Sequence, residues 1–310
     1  MSPVPRASSP LWASLGVVLV LAGCGGDGAA NSLARGDRLA AQGEDEAAVA
    51  EYRLARRQQG DDPEVLARLA HAHAAAGDVS AAARLYGELV GRDSSYRYQA
   101  ASDLTALARR ELDRHGRDRM VRALEPVLDL GLDLVPTDLG LELARHYSDR
   151  QDFRRALPLY LSVLEGDLEA GSRVYYGAAR AYQELGGCRE ALPYFREYLD
   201  RAEADREADS EGGGRWHYGS CLHDVAREDW EHGRRGDALE RVDTLIDMGT
   251  PRTLMDRAHY LRGEMLLESG RDDEALEAYR EVLRLNPDRS DPLARSAEER
   301  VREIRYGAPE

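Results

Sequence analysis

The 310-residue chain is 43% hydrophobic but only 6% aromatic, a composition that favours thin helical layers over one thick globular core. Its 57 acidic side chains outnumber 42 basic ones, all of them arginine, and the net charge is -15. Such a charge repels phosphate backbones, and no basic run interleaved with aromatic residues offers a local exception, so a nucleic-acid partner is excluded.

The N-terminal segment has the pattern of a secretory signal. Arg6 precedes an apolar run over residues 11–21, which is too short to cross a bilayer as a permanent helix. The run leads into the sequence LAGC at residues 21–24. This sequence, whose last residue is Cys24, resembles the lipobox of bacterial lipoproteins. That resemblance implies a signal peptide over residues 1–23, cleavage before Cys24, diacylation of its thiol and usually a third acyl chain, such as palmitate, on the new amine.

A membrane location follows from the lipoprotein resemblance. Several acyl chains hold a protein firmly on a bilayer, and residues 24–30 are predicted to form a flexible tether beyond it. Gly25 follows the cysteine where aspartate would favour the inner membrane, so the resemblance favours the outer membrane, facing the periplasm. An ordinary secretory signal with an unrelated cysteine is the alternative.

Residues 31–290 repeat at an interval of about 34 residues, the length of one stackable helix pair. The units begin near residues 29, 63, 104, 137, 172, 219 and 256. In each unit, small residues mark where two helices approach closely, and a glycine usually marks the turn between them. The small residues of the first helices are Gly36, Ala70, Ala144, Ala179, Ala226 and Gly263. Those of the second helices are Ala48, Ala82, Ala123, Ala156, Ala191, Ala238 and Ala275.

These columns resemble the tetratricopeptide repeat, and the unit running from His259 to Pro287 is close to its consensus. The resemblance implies an all-α fold, a right-handed α-solenoid of helix-turn-helix units. The unit near 104 departs most, with Glu111 at its small position. Residues 201–218, which are polar and contain three consecutive glycines, predict an inserted mobile loop.

The C-terminal residues 291–310 predict a capping helix and a tail. Four apolar residues fall on one face of that helix, which would cover the end of the last repeat. They are Leu293, Ala297, Val301 and Ile304.

No motif in the sequence predicts an enzyme, a cofactor or a metal site: HExxH, GxSxG, the phosphate-binding loop and zinc-spaced cysteine pairs are all missing from it. His71 and His73 would point about 200° apart on a helix, so they cannot share one ion. Cys188 and Cys221 could pair in an oxidising compartment. If the facing ends of their helices are level, however, the thiols lie about 20 Å apart in height, which argues against a disulfide.

A row of arginines on the helices expected to line the concave groove is the candidate binding site. It consists of Arg145, Arg180 and Arg227, at one position in consecutive units. An acidic residue follows each arginine by four positions, in the order Asp149, Glu184 and Glu231. Either each arginine pairs within its own helix, or the row binds an acidic or carboxylate-ending peptide together with nearby aromatic side chains. Those side chains are Tyr176, His223, Trp230 and Tyr260.

The sequence thus predicts a membrane-anchored, periplasm-facing scaffold that binds proteins or peptides, in a role such as cell-envelope assembly. A carrier of envelope polysaccharide or of a small ligand is the alternative, and in that case the tyrosines and tryptophan would matter more than the arginines.

Overall fold

The computed structural model describes residues 27–166, 171–204, 213–288 and 291–307. The predicted signal peptide and Cys24 lie outside these residues. Regular structure in the described part is entirely helical, which confirms the predicted all-α class. The α-helices are α1 (Asp27–Ala41), α2 (Asp45–Gln59), α3 (Pro63–Ala75), α4 (Val79–Arg92), α5 (Arg97–Asp113), α6 (Arg117–Leu130), α7 (Thr137–Asp149), α8 (Phe153–Gly166), α9 (Ser172–Glu184), α10 (Cys188–Ala204), α11 (Gly214–Glu231), α12 (Arg235–Met248), α13 (Met255–Glu268), α14 (Asp272–Leu285) and α15 (Pro292–Tyr306).

Consecutive helices pair as hairpins in two compact units. One unit contains the hairpins α1/α2 and α3/α4; the other contains the five hairpins from α5/α6 to α13/α14, followed by α15. Most hairpins begin close to the predicted positions. The third begins at Arg97 rather than near 104 and the sixth at Gly214 rather than near 219, because α5 and α11 extend further towards their N-termini.

Two predicted non-helical segments are shorter than expected. Residues 27–30, assigned to the tether, form the start of α1. The predicted loop over 201–218 is reduced at both ends, since α10 continues to Ala204 and α11 begins at Gly214. Alanine and charged residues with good helix propensity fill 201–204, and Gly213 and Gly214 stand at the start of α11, while residues 205–212 of the predicted loop lie outside the described residues.

Glycine ends the first helix of five hairpins in the left-handed conformation, as predicted. The residues and their φ angles are Gly43 (76°), Gly77 (79°), Gly186 (83°), Gly233 (77°) and Gly270 (71°). His115 and Gln151 take this place in the third and fourth hairpins, with φ angles of 59° and 61°. At Gln151 the backbone N–H groups of residues 151 and 152 bond to the carbonyls of Ser148 and Tyr147, so the capping geometry is kept without glycine.

The columns of small residues are explained by aromatic rings packed against them. A Cβ atom added to Gly263 would lie 2.7 Å from Cε1 of Tyr279, a ring that is fully buried. A Cβ atom added to Gly36 would likewise lie 2.5 Å from Cε1 of Tyr52. The large residue four positions after each second-helix alanine therefore fills the space that the first helix leaves open.

The third hairpin packs its two helices differently, with a large residue at the small position of the first helix. Glu111 stands at the small position and is 2% exposed, while Val127 stands where four of the other hairpins have tyrosine. The smaller valine leaves room for the carboxylate, which Arg119 contacts at 2.5 Å and Arg114 at 3.4 Å. The buried charge is thus paired, as burial requires.

The C-terminal helix α15 covers the end of the last hairpin. Ala294 and Ala297 are fully buried, and Leu293, Val301 and Ile304 pack against the core formed by α13 and α14. Two hydrogen bonds also hold α15 against α13. Arg300 donates from Nε and Nη2 to the two carboxylate oxygens of Glu264, each over 2.9 Å.

Candidate functional site

A cavity of about 470 Å³ lies where α7 and α9 face each other, with contributions from α6 and α8. Four arginines line it, and we call it the arginine pocket. Its defining residues are Arg117, Arg145, Arg173, Arg180, Asp149 and Tyr176. Three of the predicted site residues, Arg145, Arg180 and Tyr176, are therefore brought together in one cavity.

Helical spacing explains why α9 contributes four of the ten residues that line the pocket. Arg173, Tyr176, Gly177 and Arg180 recur at intervals of three and four residues, so they project from one face of the helix. Arg173 was missed from the sequence, although its position two turns before Arg180 could have indicated it. Arg117 begins α6 and occupies no equivalent position in the arginine row, so nothing in the repeat pattern pointed to it.

Ion pairs hold the arginines of α6 and α7 in a network rather than in the predicted i,i+4 pairs. Arg145 Nη1 lies 2.8 Å from Glu142 Oε1 and does not pair with Asp149. Arg117 reaches both neighbouring carboxylates, at 3.3 Å from Asp149 and 3.4 Å from Glu142. Arg145 therefore pairs within its own helix, but with Glu142 rather than with Asp149, which Arg117 contacts instead.

Arg180 does form the predicted intrahelical pair, with Nη2 2.7 Å from Glu184 Oε1. Its Nη1 lies 2.8 Å from each of the two ring nitrogens of His217 on α11. The Arg180 side chain is 24% exposed, so it is held in place yet still reaches solvent.

The charged residues that line the arginine pocket are mostly basic. Its four guanidinium groups face Asp149 in the lining and Glu142 and Glu184 at the edge. Pairs that remain accessible to water are weak, so an incoming anion can compete for the guanidinium donors. The arrangement can bind an anionic group but offers no nucleophile activated by a neighbouring base.

The remaining predicted site residues lie elsewhere. Arg227 lines a second cavity, and its Nε is 4.0 Å from Glu231, a weak version of the predicted pair. His223 contacts Asp224, at 3.3 Å. Trp230 lies under the Arg235 guanidinium, 5.1 Å from the ring centroid. Tyr260 packs edge-on against Tyr279 with 5.6 Å between centroids, and burial, together with the neighbouring Glu264, raises its pKa.

The second cavity, of about 620 Å³, lies between the α9–α10 turn and α11. We call it the acidic pocket. Its charged lining residues are Arg189, Glu190, Asp224, Arg227, Glu228 and Glu231. The predicted arginine row is thus divided, because Arg227 lies among four carboxylates while Arg145 and Arg180 lie in the arginine pocket.

Cys188 and Cys221 form a disulfide, with 5.0 Å between their Cα atoms, so the geometric argument against it was wrong. The thiols would lie far apart only if the facing ends of α10 and α11 were at the same height. Instead Phe195 stacks on His217, 6.1 Å between centroids, although nine residues of α10 follow Phe195 and only three residues of α11 precede His217. Helix α11 is therefore shifted along α10, and Cys221 reaches the level of Cys188.

A buried carboxylate that sequence reasoning missed lies beside this disulfide. The Asp229 side chain on α11 is fully buried, and Arg189 and Arg234 contact its Oδ1 at 2.6 and 2.7 Å. Arg241 contacts Oδ2 at 2.8 Å. Burial alone would raise the pKa of Asp229, but the hydrogen bonds from Arg189 and Arg234 outweigh it and hold this pKa below its usual value.

In the described part of the chain, no helix combines the length and apolarity needed to cross a bilayer. Among the same residues, no group of three or more His, Cys, Asp and Glu side chains is arranged to hold a metal ion.

Models of the tetratricopeptide repeat match residues 141–174 and 224–290. A comparison with curated protein sequences finds no match. Many solved structures are similar in fold. They include YrrB, a TPR protein with an unusual peptide-binding site, at 17% identity, covering 69% of this chain and 97% of YrrB with a TM-score of 0.36.

Two further examples are MamA and the C-terminal part of a TPR repeat-containing protein from Cytophaga hutchinsonii. MamA is 20% identical, with coverage of 59% of this chain and 96% of MamA and a TM-score of 0.34. The Cytophaga protein is 12% identical, with coverage of 86% and 98% and a TM-score of 0.39. At these scores we transfer no feature of those proteins to this chain. The chain contains tetratricopeptide repeats at residues 141–174 and 224–290, within an all-α fold of helical hairpins.

Proposed function

We propose that this protein is a membrane-anchored scaffold that binds another protein through the arginine pocket, and that it is not an enzyme. The observation that carries the proposal is the convergence of Arg117, Arg145, Arg173 and Arg180 on one open cavity. Guanidinium groups bind carboxylates through paired hydrogen bonds, so the partner would present an acidic side chain or a chain terminus there.

The aromatic side of the pocket supports a peptide ligand. Tyr176 is partly exposed and is braced from behind, with its ring centroid 5.0 Å from that of Tyr198 and 6.3 Å from that of Phe195. A rigid ring beside guanidinium groups suits a side chain or backbone segment of a partner protein.

The carrier alternative has less support. It depends on aromatic rings free to stack on a sugar or small ligand, but Trp230 is covered by Arg235 and Tyr260 packs against Tyr279. Neither of these two rings lies in the arginine pocket.

Two features support the membrane-anchored, periplasm-facing part of the proposal. The lipobox-like sequence ends at Cys24, and the remaining two cysteines form the disulfide Cys188–Cys221. Structural disulfides are typical of exported proteins, because the cytosol keeps thiols reduced. In a Cys24→Ser variant we expect the protein to move from the membrane to the soluble fraction, and mass spectrometry of the native protein should find acyl chains on Cys24.

Affinity purification from detergent-solubilised membranes tests the binding site. We expect the native protein to retain a partner that the double variant Arg145→Ala/Arg180→Ala loses at matched folded abundance. Arg302→Ala is the control, since it removes an exposed arginine of α15 that lines neither the arginine pocket nor the acidic pocket. Equal retention of every partner by the double variant would refute the proposed binding site.

A further inference from the structure

The arginine pocket and the acidic pocket are neighbours on the same helix. Arg180 of α9 lines the first, and Gln183, three residues later, lines the second. The two side chains are in contact, because Arg180 Nη1 donates to Gln183 Oε1 at 3.4 Å. A ligand that occupies one pocket is therefore within reach of the other.

The charged side chains that line the two pockets are mostly of opposite sign, since the arginine pocket has four guanidinium groups and one carboxylate in its lining. The acidic pocket has four carboxylates and two guanidinium groups in its lining. One of these, Arg189, is already engaged by the buried Asp229 and by Glu228, at 2.6 and 3.1 Å. The other, Arg227, is 4.0 Å from Glu231, so the carboxylates of this pocket are only partly neutralised.

From this charge complementarity we propose that the ligand is a bipolar peptide segment, with an acidic group in the arginine pocket and a basic group in the acidic pocket. The proposal rests on the proposed binding function of the arginine pocket and adds a second point of recognition. It also reverses the role of Arg227, which opposes the ligand's basic group instead of binding an acidic one.

The positions of the pockets set the spacing of the two charges. The arginine pocket opens between α7 and α9, and the acidic pocket opens between the α9–α10 turn and α11. They are separated by roughly one helix diameter, about 10 Å. An extended peptide advances about 3.3 Å per residue, so an acidic and a basic side chain about three residues apart would fit.

An array of synthetic peptides of glycine and serine tests the inference at low ionic strength. One set carries Asp and Arg three residues apart, in both orders; the others carry two Asp residues or two Arg residues at the same positions. We expect the native protein to prefer the Asp/Arg set. Arg145→Ala/Arg180→Ala should weaken this binding about tenfold, and Glu190→Gln/Glu231→Gln by a similar factor, because each exposed charge contact contributes about threefold.

Arg227→Ala discriminates best, because a bipolar ligand and a ligand with acidic groups only predict opposite changes in binding affinity. If the ligand is bipolar, removing this positive charge strengthens binding of the Asp/Arg peptides about threefold. Equal or tighter binding of the two-Asp peptides, weakened by Arg227→Ala, would overturn the bipolar ligand while leaving the arginine pocket as a binding site. The absence of any preference among the peptides would also overturn it. Retention of the membrane partner by Arg145→Ala/Arg180→Ala would instead contradict the proposed function itself.

Discussion

Arg189, the second residue of α10, donates from Nη2 to the fully buried Oδ1 of Asp229 on α11, over 2.6 Å. The residue before Arg189, Cys188, forms the disulfide with Cys221, which lies on α11 like Asp229. A covalent bond and a buried ion pair therefore fix α11 against the start of α10. These contacts set the shape of the acidic pocket, which lies directly over them.

Replacing Asp229 with Asn should lower the free energy of unfolding by about 2 kcal/mol at neutral pH, because the hydrogen bonds from Arg189 and Arg234 and the ion pair with Arg241 lose their charged acceptor. The pKa of Asp229 is lower in the folded protein than in the unfolded chain, so the carboxylate stabilises the fold above the unfolded pKa of about 4. This contribution is lost as the pH falls through the folded pKa.

Urea unfolding of both proteins at pH 7 and near pH 3 measures the effect. The difference between them should shrink at the lower pH, whereas Asp247→Asn, at an exposed position of α12, should change stability little at either pH. A difference that is constant across this range would contradict the buried ion cluster.

Removing the disulfide by Cys188→Ala/Cys221→Ala should lower the free energy of unfolding by about 3 kcal/mol, since the bond joins residues separated by 33 positions. Native protein treated with reductant should unfold at the same urea concentration as the double variant. Alkylation of unfolded, unreduced protein checks the premise, and labelling of both cysteines would show that the bond is not formed.

Two glycine-to-alanine substitutions should have opposite effects. Gly263→Ala places a methyl group 2.7 Å from the Tyr279 ring and should destabilise the protein by about 1–3 kcal/mol. Gly236→Ala on α12 meets nothing within 4 Å and should stabilise it by about 0.5–1 kcal/mol through helix propensity. Thermal unfolding of both variants provides the measurement, and equal effects would argue against close packing at Gly263.

Gln151→Gly should stabilise the fourth hairpin, because Gln151 adopts a φ angle of 61° that favours glycine. Relief of this conformation contributes about 1–2 kcal/mol and the added flexibility of the unfolded chain costs about 0.5–1 kcal/mol, so we expect a net gain of about 0.5–1 kcal/mol. Urea unfolding measures it, with the exposed substitution Gln59→Gly at the end of α2 expected to give no gain.

Much of the fold could be predicted because its determinants are local and recur along the chain. The pairing of Gly263 with Tyr279, the turn at Gly270 and the apolar face of α15 all repeat or complete one pattern. The disulfide and Asp229 could not be predicted, since both depend on how far α11 slides along α10. That register is set by the contact of Phe195 with His217, which has no counterpart in the repeat.

The candidate site was predictable in part for the same reason. Arg145 and Arg180 share a repeat position, and Tyr176 lies one turn before Arg180 on the same helix face. Their separation from Arg227 was not predictable, because the charge around each arginine comes from neighbouring helices. Arg117 of α6 supplies positive charge beside Arg145, and Glu190 of α10 supplies negative charge in the pocket that Arg227 lines.

Site-specific photo-crosslinking in cells tests the central claim most directly. A photoreactive amino acid at Ser148, which lines the arginine pocket, should capture a partner protein, and Arg145→Ala/Arg180→Ala in the same chain should abolish the capture. The same amino acid at Asp247, exposed on α12, should capture nothing in common with it. Capture at Asp247 but not at Ser148, or capture at Ser148 that persists without the two arginines, would contradict recognition through the arginine pocket.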